Sequence, residues 1–414
     1  MSFVTTLKCI TCNQTYHPDK VEYTCPGCGP LLGTLEVLYD YDAVRNVLTR
    51  DSLARNPRQD HWRYLPLLPV SHEELIPPLS VGMTPLYRCK KLAATLELGS
   101  LWVKDDGRNP TASLKDRASS VALIKARERG YKTVTAASTG NAASSWSAFA
   151  RLADLETIIF VPEIAPRAKI AQLLLYGATV LQVRGSYDEA FDLCCQASQA
   201  WGWFNRSTAI NPYLGEGKKT AALELCEQLH WQAPDYLFVA VGDGCIFQGM
   251  WKGFKELHQL GLIERRPKMM GVQAEGSAPL VTAWQSGATT ARPVEARTVA
   301  DSICVGVPRD QVKALKAARE SGGRFLAVSD DDILASISLL AQNAGVLAEP
   351  AGAAAMAGVS RMAAEGLFEA TDSVAVIVSG NGLKDIDGVM KAVHRHPIPV
   401  EKDLNAVERQ LRSR

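Results

Sequence analysis

The chain has 414 residues, 47% of them apolar, with 45 basic and 44 acidic side chains and a formal net charge of +1. That length predicts about two or three domains, and the apolar share is ample for a large core. The balance of charge argues against a general nucleic-acid or membrane-surface binder. No apolar run approaches the ~20 residues of a membrane span, and the opening MSFVTTLKCITC shows no apolar signal segment; a cytoplasmic protein is expected. Ten cysteines, six of them scattered and including the adjacent Cys194 and Cys195, do not form the pattern of a secreted disulfide framework.

Residues 9–28 read CITCNQTYHPDKVEYTCPGC, so two C-x2-C pairs, Cys9/Cys12 and Cys25/Cys28, stand twelve residues apart. Each pair can form a tight knuckle on one tetrahedral zinc ion, with thiolates about 2.3 Å away. Four thiolates close the site, which makes it structural and leaves His17 as a surface residue. The metal would staple residues 1–40, too few to build their own core. Residues 41–80 read as irregular, and their second half is rich in Pro and Arg, so a linker wrapping the next domain is expected. Strand-like apolar runs follow at 100–105, 133–138, 156–162, 179–183, 235–242, 268–274 and 373–380. Between them lie helix-like runs at 115–129, 141–153, 167–176, 187–201, 217–230, 247–260, 332–344 and 352–365. Such alternation predicts an α/β fold with mainly parallel sheets.

Three turns each follow a strand and open a helix: ASTGNAASS (137–145), VGDGCIFQG (241–249) and VSGNGLKD (378–385). Ligands of parallel α/β sheets sit at the carboxyl ends of strands, where helix N-termini offer unpaired N–H groups and partial positive charge. Gly242 and Gly244 let backbone approach a phosphate closely. A fourth segment, NPTASLKDRAS (109–119), starts a helix on a lone lysine, Lys115, among small hydroxyl residues. A partly dehydrated lysine at a helix start has its ammonium form disfavoured and can attack an aldehyde. The set points to a phosphorylated carbonyl cofactor.

The segments GMTPLY (82–87), NPTASLKDR (109–117), STGNAA (138–143), NPYLGEGKKTAALE (211–224), AEPAGAAAMAG (348–358) and SGNGLKD (379–385) together resemble threonine synthase, of the fold-type-II pyridoxal-phosphate enzymes. The resemblance spans roughly residues 80–390. It implies a fold like the tryptophan synthase β chain: two parallel-sheet α/β domains, here behind a small zinc-ribbon-like module. The expected plan is a head at 1–40, a wrapping linker at 41–80, a large cofactor domain from 81–129 with 226–400, a small mobile domain at 130–225 and a tail at 401–414. A homodimer without nucleic-acid or membrane partners is expected.

The resemblance also assigns roles. Pyridoxal 5'-phosphate would be carried on Lys115, and Asn141 would hydrogen-bond its phenolic oxygen. Gly242, Asp243, Gly244, Cys245 and Ile246 would supply N–H donors to its phosphate, with the Asp243 carboxylate turned outward to cap local N–H groups. Ser379 would face the pyridine nitrogen; a hydroxyl there leaves that nitrogen largely uncharged and favours elimination and replacement over transamination. Ser138, Thr139 and Gly140 would hold the substrate carboxylate. Arg167, Lys169, Lys218 and Asn211 are candidates for a substrate phosphate. Asp116 and Arg117 are expected to form an ion pair holding the helix.

The implied reaction takes O-phospho-homoserine and water to threonine and phosphate, with structural zinc in the head. Two stretches depart from the family pattern: Tyr213, Leu214 and Gly215, where an arginine is usual, and TVADSICVGVPRD (298–310). They keep other amino-acid substrates open, namely replacement on O-phosphoserine as in cysteate synthase, Thr/Ser dehydration, or diaminopropionate ammonia-lyase chemistry. A non-catalytic binder on the same fold is opposed by Lys115, Asn141 and Ser379.

Overall fold

The computed structural model describes residues 2–412 except 139, 164, 166, 186 and 396, and gives only the backbone at 167, 168 and 188. Its first strands, β1 (Val4–Cys9), β2 (Thr15–Tyr16) and β3 (Leu35–Tyr39), make an antiparallel sheet in the order β2-β1-β3. Then come β4 (Leu86–Arg88), β5 (Ser100–Asp105), β6 (Thr133–Ala137), β7 (Glu156–Pro162) and β8 (Thr179–Val183). The series ends with β9 (Phe204–Asn205), β10 (Tyr236–Ala240), β11 (Lys268–Ala274), β12 (Arg324–Val328) and β13 (Ser373–Val378). One sheet runs β12-β11-β10-β13-β5-β4, parallel except for the edge strand β4. A second, fully parallel sheet runs β8-β7-β6-β9. Helices cover these sheets, so their strands are continuous apolar runs such as YLFVA and SVAVIV, without polar alternation.

The expected alternation is therefore present, with differences that have local causes. The helix expected from 217 begins at Tyr213 and runs to Gln228. Its LGEG start resembles a turn, yet these glycines serve helix contacts. A Cβ on Gly215 would come within 2.8 Å of Gln248 Nε2, and one on Gly217 within 1.9 Å of the Arg117 carbonyl. Residues 41–80 are less irregular than expected: helices Tyr41–Val47 and Arg50–Arg55 are capped by Asp40 and by a Thr49–Ser52 capping box.

The head sheet is not a separate body. Leu7, Leu35, Val37 and Tyr39 share one core with Phe247, Trp251 and Phe254 of the helix Cys245–Gln259. Polar groups reinforce the seam. The Tyr39 hydroxyl donates to Glu216 at 2.7 Å, Lys252 donates to the Val37 carbonyl at 2.5 Å, and Lys313 donates to the Leu35 carbonyl at 2.7 Å. Glu216 is held in turn by Lys219 at 2.6 Å and Lys252 at 2.5 Å.

Arg117 lies at the centre of the body, fully buried. Its Nε and Nη2 donate to Asp106 at 2.6 and 2.8 Å, and its Nη1 and Nη2 to Glu224 at 2.6 and 2.7 Å. Lys104 also pairs with Glu224 at 2.9 Å. Against the effect of burial, these cations hold the Glu224 carboxyl well below the usual range. The expected Asp116–Arg117 pair is not formed. Asp116 instead accepts the Thr111 N–H at 2.6 Å and the Thr111 hydroxyl at 2.5 Å, because side chains one position apart on a helix point to different faces.

Arg117→Met would leave buried Asp106 without a cation and Glu224 with Lys104 alone. Removing one partner of a buried pair costs about 3–5 kcal/mol, so urea unfolding of this variant should show a loss of that size; a loss below about 1 kcal/mol would refute the clamp's structural weight.

Candidate active site

Lys115 is the first residue of the helix Lys115–Glu128. The segment before it is pinned to the loop after β13: Leu114 N–H donates to the Ser379 carbonyl at 2.9 Å, and Asn381 N–H to the Ala112 carbonyl at 3.0 Å. Ala112 takes a left-handed φ of 61° to make this turn, a conformation uncommon outside glycine and asparagine. Lys115 is thereby set next to the Ser379 backbone. Burial, then repulsion from Lys218 and Arg206, lowers the Lys115 pKa to about 8.

Asn141 opens the helix Asn141–Arg151 after β6. Its Nδ2 donates to Glu349 Oε1 at 2.7 Å. Glu349, only 4% exposed, has its carboxyl pKa raised by burial, with Asn141 and Lys115 acting in the opposite direction. It packs under the β13 loop: its N–H donates to the Gly380 carbonyl at 3.1 Å, and a Cβ on Gly380 would lie 2.2 Å from its Oε1. Ser138 is partly buried, its hydroxyl accepting the Gly140 N–H at 3.2 Å. Thr139 and the Arg167 side chain lie outside the described residues.

At the head of the helix Cys245–Gln259, Gly244 has a φ of 94° and a Cβ there would meet Ala314 at 2.7 Å. A Cβ on Gly242 would press on Val305 at 3.0 Å. Cys245 and Ile246 begin the helix, where N–H groups have no intrahelical acceptor. Asp243 caps as expected, its Oδ1 accepting the Arg309 N–H at 3.1 Å; burial raises its pKa nonetheless. Lys218 is 1% exposed and belongs to no ion pair among the described residues. Its Cβ would be 3.3 Å from a Cβ on Gly249, which places it against the first turns of that helix.

Two of the substrate-phosphate candidates have other work. Asn211 Nδ2 donates to the Asn205 carbonyl at 3.2 Å, and its Oδ1 accepts the Tyr213 N–H at 3.1 Å, so it caps a helix start. Lys169 pairs with Asp301. It also lines a cavity of about 10 Å³ with Asn141, Ser144, Gln172, Glu349 and Lys384. A cavity of about 540 Å³ between His17, Lys125 and Tyr213 contains none of the residues of this chemistry.

The arrangement fits pyridoxal phosphate: a lysine of depressed pKa, a glycine cradle that Cβ atoms would fill, a hydroxyl at Ser379, and the buried cation Lys218. Sequence reasoning gave no role to Glu349, Lys384 or Arg206. Glu349 and Lys384 stood inside the quoted AEPAG and SGNGLKD segments; Arg206 carried no motif. In the head, the Cys9, Cys12, Cys25 and Cys28 sulfurs all lie within 4.8 Å of one another. Burial acts to raise the Cys25 pKa, but the Tyr16 hydroxyl and the N–H groups of Cys28 and Gly27 bring it down to about 6. Four sulfurs this close together, with a ready thiolate at Cys25, fit zinc.

The profile of the "Pyridoxal-phosphate dependent enzyme" family matches residues 78–380. The threonine synthase of Methanocaldococcus jannaschii is 39% identical over 407 residues, covering 98% of this chain and 99% of that protein. The threonine synthase of Methanosarcina acetivorans is 37% identical over 411 residues, 98% of each. Among solved structures, the processed form of threonine deaminase isoform 2 from Solanum lycopersicum is similar in fold, with a TM-score of 0.66 and 20% identity over 92% of this chain and 98% of that one.

The lowered Lys115 pKa has a defined sign. An unfolded lysine keeps its proton to about pH 10.4, whereas the folded apo-protein releases this one near 8. Burying Lys115 therefore costs stability below pH 8, and the cost fades as pH rises from 8 towards 10. Apo Lys115→Met should be more stable than the wild type at pH 7, by a margin that shrinks by pH 10 in denaturant titrations. Lys115→Ala should show no turnover and no lysine-bound cofactor absorbance. A yellow, active Lys115→Ala protein would falsify the assignment.

Proposed function

The chain belongs to the pyridoxal-phosphate dependent enzyme family, among the threonine synthases, and from that premise we propose that it converts O-phospho-homoserine and water to threonine and phosphate. The observation that carries the proposal is the meeting of Lys115, its pKa near 8, with Lys218, a buried ammonium in no ion pair among the described residues. A phosphate dianion can be buried only where such charge receives it.

When bound, pyridoxal phosphate supplies the electron sink for negative charge at the substrate's Cα. Lys115 would hold the cofactor and then, as a neutral amine at a useful fraction near neutral pH, take the Cα proton. Overall a proton also leaves Cβ, phosphate departs from Cγ, Cγ gains a proton to become the methyl group, the hydroxyl of water adds at Cβ, and Cα regains its proton. Residues 242–246 would receive the cofactor phosphate and Ser379 its ring nitrogen. Asn141, held by Glu349, would hydrogen-bond the phenolic oxygen. Ser138, Thr139 and Gly140 would bind the substrate carboxylate at a helix N-terminus. Residues 130–225 would form the small domain that moves over the body made by 81–129 and 226–400, with 401–414 as a tail. Residues 1–40 would hold one structural zinc through their four cysteines.

Incubation of the holoenzyme with O-phospho-homoserine should release phosphate and threonine in equal amounts. No phosphate, together with ammonia release from serine or diaminopropionate, would overturn the proposed substrate and leave the cofactor assignment intact. Elemental analysis should find about one zinc per chain. Cys25→Ser should lower the metal content and the thermal midpoint together; full stability without metal would remove zinc from the account.

A further inference from the structure

Arg206 follows β9, whose neighbour in the sheet is β6, and its N–H donates to the Thr135 carbonyl at 2.9 Å. The adjoining Ser207 hydroxyl accepts the Ala137 N–H at 3.5 Å, so this segment lies at the strand end from which the Ser138–Asn141 turn departs. The guanidinium crosses to the helix Lys115–Glu128, where Nη2 donates to Ser119 Oγ at 3.3 Å. Ser119 is one helical turn beyond Lys115 and shares its face. Arg206 is 1% exposed, its Nε has no hydrogen-bond partner, and it belongs to no ion pair among the described residues. Burial lowers its pKa to about 10. A guanidinium with five donors so placed is incomplete without an anion.

Among the described residues, the other candidate cations are occupied or placed elsewhere. Lys384 spends its three N–H donors on the Thr111 carbonyl at 2.9 Å, Ser144 at 3.1 Å and Gln172 at 3.2 Å. Lys169 is paired with Asp301. Lys218 lies against the helix whose start would take the cofactor phosphate. Tyr213, Leu214 and Gly215 offer no charge and are buried. Of these, Lys218 and Arg206 are in no ion pair among the described residues, and Arg206 is the one anchored to the sheet from which the Ser138–Asn141 turn departs.

We propose that Arg206 is the receptor for the substrate's phosphate, binding the phosphomonoester dianion through its guanidinium beside Lys115. This rests on the proposal that the substrate is a phosphorylated amino acid. A forked donor suits a tetrahedral oxyanion in a way that a lysine does not. The same place takes inorganic phosphate as product.

The test uses holoenzyme with O-phospho-homoserine in kinetics and inorganic phosphate in titration calorimetry. Arg206→Gln should raise KM about ten- to a hundredfold and weaken phosphate binding by a like factor, with cofactor affinity and absorbance unchanged. Arg206→Lys, which keeps the charge and loses the fork, should fall between. Unchanged KM and phosphate affinity in Arg206→Gln would overturn the inference, as would loss of cofactor with phosphate binding intact. Should Arg206→Gln fail to fold, wild-type KM in Arg206→Lys would overturn it. If the wild type releases no phosphate from O-phospho-homoserine yet binds inorganic phosphate in an Arg206-dependent way, the anion site stands and the threonine-forming reaction falls.

Discussion

Arg117 meets two carboxylates, Asp106 and Glu224, where no water reaches them. The geometry of the site follows from satisfying those charges. Asp106 comes from the turn after β5, Glu224 from the helix Tyr213–Gln228, and Arg117 stands two residues after Lys115. Thr84 adds its hydroxyl to Asp106 at 2.7 Å, and its carbonyl accepts from Lys104 at 2.7 Å. Gly82 lies so close that a Cβ would be 2.3 Å from Glu224. Four segments far apart in the chain thus converge on one guanidinium, and the helix carrying Lys115 is fixed in azimuth. Buried pairs of this kind add little net stability over a well-packed apolar core, yet leaving one incomplete is costly. Register is what such a pair enforces.

The same helix, Tyr213–Gln228, transmits position to the other half of the site. Gly217 lets it touch the Arg117 carbonyl, and Gly215, Gly249 and Gly253 let it lie close along Cys245–Gln259. Close approach brings Lys218 to the first turns of that helix. On its far side Glu216, Lys219, Lys252 and Tyr39 join the head to this pair of helices. The four-cysteine head therefore braces the two helices that build the anion site, while offering no group to the chemistry itself.

Much of this was legible in the sequence, and the gaps have physical reasons. β5, β7, β8 and β11 were readable because doubly covered parallel strands are continuous apolar runs bounded by turns. The helix start at Lys115 and the close-packed glycine turns were readable because their cues are local. The partners of Arg117 were not, since pairing across 11 and 107 positions leaves no periodic trace and the adjacent Asp116 was the obvious decoy. The start of the helix at Tyr213 was obscured by glycines that serve packing, against their low helix propensity. Arg206 looked like any arginine. Only the fold shows that it is buried and, among the described residues, in no ion pair.

The charges around Lys115 explain how one lysine can serve as carrier and base. Lys218 and Arg206 repel its ammonium, and burial adds to this; Glu349 opposes them. Burial raises the pKa values of the Glu349, Asp116 and Asp243 carboxyls. The cations beside Lys115 favour the neutral amine needed to bind an aldehyde. If phosphate groups bind at Lys218 and Arg206 as proposed, they would cancel the repulsion and raise the proton affinity of the Lys115 amine. The lysine would then be a weaker base before the anions arrive and a stronger one afterwards, through neighbouring charge alone.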